Sequence, residues 1–209
     1  MGNLVVVSDA RIREGLEVVL ENYQDMNTVR SKEKNRIILN ALRGTCEGIQ
    51  DVLMENYPGF EIWVNNACPI GNWPAIPWMA FGGPSEFRTK RIKFSININY
   101  HFVADMSGVL LVILPFAKGW KERFGDEWLS KFEPFKTQFR KDLAWMKDYG
   151  FKLDDHADIK TRAQSGSDMR DGYIVYKHYP LAKIPSEAEL QSDLVIACKA
   201  QQQLVDNSR

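Results

Sequence analysis

The stretch that decides the fold is Ile92 to Leu114, which reads IKFSININYHFVADMSGVLLVIL. Ile92, Phe94, Ile96, Ile98, Tyr100 and Phe102 alternate with Lys93, Ser95, Asn97, Asn99 and His101. Strict alternation with period two predicts a strand with one apolar and one polar face. Asp105-Met106-Ser107-Gly108 predicts a type I turn, with Asp first and Gly last. Val109 to Leu114 is apolar without a break, as expected of a strand buried on both faces. The two strands therefore predict an antiparallel hairpin at the centre of a sheet.

Working outward, shorter strands are expected at Phe60–Val64, at Pro77–Phe81 and at Gly172–Tyr179. Before them come two amphipathic helices. Ile12, Leu16, Val19, Leu20 and Tyr23 share one helical face, with Ser8 or Asp9 as its cap. A second stripe runs through Ile38, Leu42, Cys46, Ile49, Val52 and Leu53 from a start near Ser31, and Pro58-Gly59 stops it. After the hairpin, Trp120, Phe124, Trp128 and Phe132 recur every four residues. Pro134 is expected to break or restart that helix, and Phe135, Phe139, Leu143 and Met146 continue the stripe. Asp154 to Arg170 reads as a polar loop. Ser186 and Glu189 form a capping box that opens a closing helix with stripe Leu190, Leu194 and Ala197. The expected class is α+β: a mixed, largely antiparallel sheet with flanking helices and an N-terminal helical pair. The expected division is a helical extension over residues 1–57 and a second unit over residues 58–204.

The 209 residues carry 27 Lys and Arg against 27 Asp and Glu, a formal charge of zero. A non-specific nucleic-acid binder ordinarily has a basic excess, so only local charge can support such a role. No apolar run reaches the roughly 18 to 20 residues that span a bilayer, and no leader is recognisable at the start. Three cysteines, Cys46, Cys68 and Cys198, lie far apart and form no CxxC pair, which fits a reduced cytoplasmic protein. The phosphate loop GxxxxGK[ST] and the motifs HExxH, GxSxG and GxGxxG are absent. His101, His156 and His178 have no metal-ligand spacing, so neither metal nor cofactor is expected.

Two segments could carry chemistry. Asn65 to Phe81 reads NNACPIGNWPAIPWMAF and concentrates two tryptophans, three prolines and a Gly-Asn pair. Gly71-Asn72 permits a tight turn, and Pro74 and Pro77 stiffen the chain beside it. Trp73 and Trp78 then offer flat faces to a planar ligand such as an extruded base. The alternative is a structural corner with both tryptophans in the core, and the residues alone favour it. Phe87 to Lys93 places Arg88, Lys90, Arg91 and Lys93 together, which suits phosphate oxygens or simply a solvated hairpin tip. A third pattern, Asp158-Ile159-Lys160, has the acid-x-lysine form of Mg²⁺-dependent nucleases. It lies in a polar loop rather than on a strand, so a solvated loop is the better reading.

Taken in order, these motifs resemble a known family. Gly71-Asn72-Trp73-x-x-Ile76-Pro77-Trp78 is similar to the GNW-x-x-[IV]-PW signature of the McrB N-terminal domain family. Tyr100-His101-Phe102-x-x-Asp105-Met106-Ser107-x-Val109 resembles its strand and turn. Lys121 to Gly125, Gly172-Tyr173 through Tyr179-Pro180, and Ile184-Pro185-Ser186 through Asp193-Leu194 resemble later family segments. The ordered matches run from about Asn65 to Leu194.

The resemblance implies a DNA-recognition domain of methyl-directed type IV restriction systems, a phage-defence class. Such a domain flips a methylated or hydroxymethylated cytosine from double-stranded DNA into a pocket. It implies a base pocket at Ile70, Gly71, Asn72, Trp73, Trp78, Tyr100 and His101. The basic tip at Arg88, Lys90, Arg91 and Lys93 would then hold the DNA backbone. The family's usual tyrosine before Gly-Asn is Ile70 here, and an apolar wall residue becomes His101, which could bond a base edge. No catalysis is expected in this chain, and a motor or nuclease subunit would be a separate chain or domain. The alternatives are a Mg²⁺-dependent nuclease using Asp158 and Lys160, and a protein-interaction module that does not bind DNA.

Overall fold

A computed structural model describes residues 7–9, 11–23, 32–57, 63–66, 76–82, 96–161 and 170–207. Two helices come first, α1 (Ile12–Asn22) and α2 (Lys32–Asn56). Four strands follow: β1 (Trp63–Asn66), β2 (Trp78–Gly82), β3 (Ile96–Phe102) and β4 (Gly108–Pro115). After α3 (Ala117–Phe124) and α4 (Trp128–Asp142), the chain adds β5 (Val175–Pro180) and closes with α5 (Glu187–Asn207). The sheet has the order β1-β2-β3-β4-β5, and every pairing is antiparallel. This is an α+β fold, with its helices packed against a largely antiparallel sheet.

The two faces of the sheet are covered differently. On one face, Met79, Phe81, Ile98, Tyr100, Phe102, Leu111 and Ile113 join the apolar stripes of all five helices in a single core. That core includes Ile12, Leu16, Val19, Leu20 and Tyr23 of α1 and its C-cap, all 3% exposed or less. Each fully buried side chain of this size contributes about 1.5–3 kcal/mol of transfer free energy. The other face carries a smaller cluster of Ile76, Val103, Leu110, Val112, Leu114, Ala157, Ile159, Tyr173 and Tyr176, with no helix among them. While residues 162–169 of the expected loop lie outside the described residues, the covering element here is the segment 154–161, with Tyr173. Ala157 and Ile159 are buried in it, so it is a packed strap rather than the polar loop that its composition suggests.

One buried and one half-buried cation on α4 hold this strap. The Arg140 guanidinium donates to the carbonyls of Asp154, Tyr173 and Ile174 and to the carboxylate of Asp155. Lys136, 5% exposed, donates to Asp155 and to the Asp171 carbonyl. Beside Arg140 and Lys136, the Asp155 carboxyl is pulled down to about 2. The planar fork of arginine suits several acceptors at once.

Several local expectations are corrected by the structure. α1 starts after Arg11, which gives no side-chain cap, and neither Ser8 nor Asp9 caps it. Its free amides at Ile12 and Arg13 donate instead to Glu187, at 3.2 and 2.8 Å, from the start of α5. An anion at a helix N-terminus satisfies both the open donors and the dipole. The β3–β4 turn forms earlier than Asp105–Gly108: Met106 N donates to Val103 O at 2.8 Å, and Met106 takes φ 57°. The helical break falls not at Pro134 but at Gly125, whose φ of 55° with ψ of −135° is a combination that essentially only glycine adopts. Pro134 lies inside α4 on its exposed side, where the carbonyl it leaves open can be met by water. β2 begins one residue later than expected, and residues 60–62 of the expected first strand lie outside the described residues. The capping box is present: Ser186 N donates to Glu189 at 2.9 Å, and Glu189 N to Ser186 Oγ at 3.3 Å.

Among the described residues, no helix is long and apolar enough to cross a membrane.

Candidate nucleic-acid interface

Register places the site residues. Trp78 on β2 stands opposite His101 on β3, which stands opposite Leu110 on β4, which stands opposite His178 on β5. Directly opposed residues of an antiparallel pair project to the same face. This row therefore lies on the strap-covered face. The next row on that face is Ala80, Asn99, Val112 and Tyr176.

Trp78 is half-buried and follows Ile76 and Pro77, both buried. Ile76 belongs to the smaller cluster, and the Pro77 carbonyl accepts from Phe102 N at 3.1 Å. The indole thus projects from a strand end fixed on both sides.

Its partner His101 is 1% exposed. Asn99 Nδ2 lies 2.9 Å from its Nε2, and its Nδ1 lies 2.6 Å from the Tyr173 hydroxyl. The amide donates to Nε2, so Nδ1 carries the ring proton and faces the tyrosine oxygen. Burial lowers the imidazole pKa to about 3, so the ring is neutral at ordinary pH. Both nitrogens are already occupied, so neither is open to a base edge.

Tyr100 goes the other way. It is fully buried on the helix-covered face, tilted against Phe81 at 5.6 Å between ring centres. Adjacent strand residues point to opposite faces. Tyr100 and His101 therefore cannot line one pocket, and Tyr100 is a core residue.

Ile70, Gly71, Asn72 and Trp73 of the expected pocket, and Arg88, Lys90, Arg91 and Lys93 of the expected clamp, lie outside the described residues. The ends that lead to them are described. Residues 67–75 join β1 to the Trp78 end of β2, and residues 83–95 leave from its Gly82 end. Those two ends are about 13 Å apart along a five-residue strand.

Asp158 and Lys160 are held within the strap. Asp158 Oδ1 accepts from Lys160 N at 2.9 Å, and Lys160 takes φ 50°. Its ammonium donates to Asp105 Oδ2 at 2.7 Å and Ser107 Oγ at 3.1 Å. Hydrogen bonds from Lys160 and Ser107 bring the Asp105 carboxyl down to about 2. Lys160 thus ties the strap to the β3–β4 turn on either side of Met106, the other described non-glycine residue with positive φ. Among the described residues, no group of three or more His, Cys, Asp or Glu is placed to hold a metal ion.

A profile of the MrcB-like, N-terminal domain family matches residues 18–206. The chain belongs to this family. The match spans nearly the whole chain, from within α1 to the end of α5, and so covers both the helical pair and the sheet. Membership supports a DNA-binding recognition role related to type IV restriction, at the level of the family. A recognition module of this kind is compatible with a chain that is not itself an enzyme. No curated protein and no solved structure matches the chain.

Sequence reasoning missed Asn99 and Tyr173. The signal was present in β4. A strand apolar on both faces requires that the sheet be covered on both faces, and polar residues of β3 on the second face must then be buried and bonded.

Proposed function

We propose that this chain is the specificity part of a restriction system and recognises a methylated cytosine flipped from double-stranded DNA. Trp78 is the wall on which the flipped base stacks. The observation that carries this reading is the placement of Trp78. It is a half-open indole on a buried Ile76-Pro77 step, at the end of β2 reached by the Gly71-Asn72-Trp73 passage. Flat aromatic faces suit an unstacked base, and extrusion costs a few kcal/mol that stacking and backbone contacts offset. In this reading residues 58–204 carry the recognition surface, and residues 1–57 are a helical extension behind the sheet. Arg88, Lys90, Arg91 and Lys93 hold phosphates. Ile70, which cannot stack as a tyrosine would, packs against the base edge. The chain works in the cytoplasm beside a motor or nuclease subunit.

The flip is tested with 2-aminopurine placed next to the methylated cytosine. Its fluorescence rises when the neighbouring base leaves the stack. Wild type should raise it on binding, and Trp78→Ala should not. Saturated binding with unchanged fluorescence would show that the DNA is held without extrusion. Absence of binding to any duplex would favour a protein-interaction module instead.

A further inference from the structure

Asn99 is 7% exposed and stands on the face of β3 that also carries His101 and, across the strand pair, Trp78. Its cross-strand neighbour on β2 is the small Ala80. The amide nitrogen is committed to His101 Nε2 at 2.9 Å, and His101 is committed through Nδ1 to Tyr173. This relay engages the amide through its nitrogen alone. It leaves Asn99 Oδ1 buried with no hydrogen-bond partner among the described residues. A buried acceptor without a partner is costly and calls for an explanation. Asn35 Oδ1, the Tyr100 hydroxyl and Gln202 Oε1 share this condition. They lie on α2, on the core face of β3 and on α5. Of the four, Asn99 is the one on the Trp78 face.

We infer that Asn99 Oδ1 is the polar reader of the base site and accepts a hydrogen bond from an exocyclic amino group of the extruded base. This rests on the reading of Trp78 as the base wall. The ligand class is a base that presents an amino group where cytosine does, at C4. Thymine, which presents a carbonyl there, is rejected because two acceptors would face each other. A site built around one buried polar partner discriminates strongly, since the wrong ligand leaves that partner unpaired. His101 and Tyr173 are positioning residues: they hold the amide with its oxygen free.

The test uses the whole chain and three duplexes, with 5-methylcytosine, cytosine or thymine opposite guanine at one position. 5-Methylcytosine and thymine share the ring and the methyl group and differ at C4 and in the proton on N3. The mismatched thymine leaves the stack more easily, so the comparison is biased against the proposal. Wild type should bind the 5-methylcytosine duplex about tenfold more tightly or better. Asn99→Leu, checked for folding by circular dichroism, should bring the two affinities together. Equal or tighter binding of the thymine duplex by wild type overturns the proposal without reference to any variant. A folded Asn99→Leu that keeps the full preference also overturns it, and leaves Trp78 as the base wall. If wild type fails to distinguish 5-methylcytosine from cytosine, the reading of Trp78 falls and takes this proposal with it.

Discussion

Trp78 and His101 face each other across β2 and β3, and the fold treats them oppositely. The imidazole is sealed and bonded on both nitrogens, whereas the indole is partly open. The pair thus splits by accessibility: His101 organises the interior, and Trp78 keeps contact with solvent.

The sealed imidazole should make stability depend on pH. Its folded pKa is about 3, below the unfolded 6.5. Between those values the unfolded chain binds the proton and the folded chain does not, so stability rises with pH. The contribution is complete above about 6.5 and is lost as pH falls toward the folded value. His178, also lowered by burial and by Lys152 and Lys160, adds in the same direction. Urea titrations between pH 5 and 6.5 should show a slope approaching 1.4 kcal/mol per pH unit from His101 at the acid end. His101→Gln should remove that share. The Asp105 and Asp155 carboxyls, lowered from 3.8 to about 2, exert their pH dependence between those two values, below this window. An unchanged slope in His101→Gln would mean that the ring titrates freely.

Two glycines of the helical pair should respond in opposite ways to alanine. A Cβ on Gly15 would lie 1.8 Å from Thr45 Oγ1 and 2.9 Å from the Ala41 carbonyl oxygen. Backbone cannot yield cheaply, so Gly15→Ala should cost about 1–3 kcal/mol through helix separation. Gly44 meets nothing within 4 Å, and Gly44→Ala should gain roughly 0.5–1 kcal/mol from helix propensity. Thermal melts of both variants decide the matter. A neutral Gly15→Ala would mean that α1 and α2 do not approach as closely as described.

Glu187 should behave as a cap for a helix far away in sequence. It accepts from Ile12 N and Arg13 N of α1 and also from Gln191 of its own helix. Glu187→Ala should cost about 0.5–2 kcal/mol, as loss of a capping acceptor does. Glu187→Gln should recover part of it, because the amide oxygen still accepts. Amide exchange would locate the effect in the first turn of α1, and a loss spread evenly over the fold would contradict the capping role.

Periodicity gave the central hairpin, the helical stripes and the Ser186–Glu189 capping box, because each is encoded within a few residues. It could not find the cap of α1, since Glu187 is remote in sequence. It placed the helical break at Pro134 because proline is the stronger breaker. The tolerance of that proline depends on its exposure, and the actual break depends on the left-handed Gly125. For the candidate site, the Ile76-Pro77-Trp78 motif singles out Trp78. The family resemblance puts both Tyr100 and His101 in the pocket, although strand alternation sends them to opposite faces. Asn99 was hidden because its importance arises from what β4 and the strap place over it.

The most direct measurement is a fluorescence-anisotropy titration at low salt. The duplexes carry cytosine, 5-methylcytosine, 5-hydroxymethylcytosine or N6-methyladenine at one position, and Trp78→Ala is titrated alongside wild type. The expected result is tighter binding of the 5-methylcytosine duplex by wild type, with the preference abolished and residual non-specific binding retained in Trp78→Ala. Equal affinity for all four duplexes, or a preference that survives in Trp78→Ala, would contradict the base-reading role of this tryptophan.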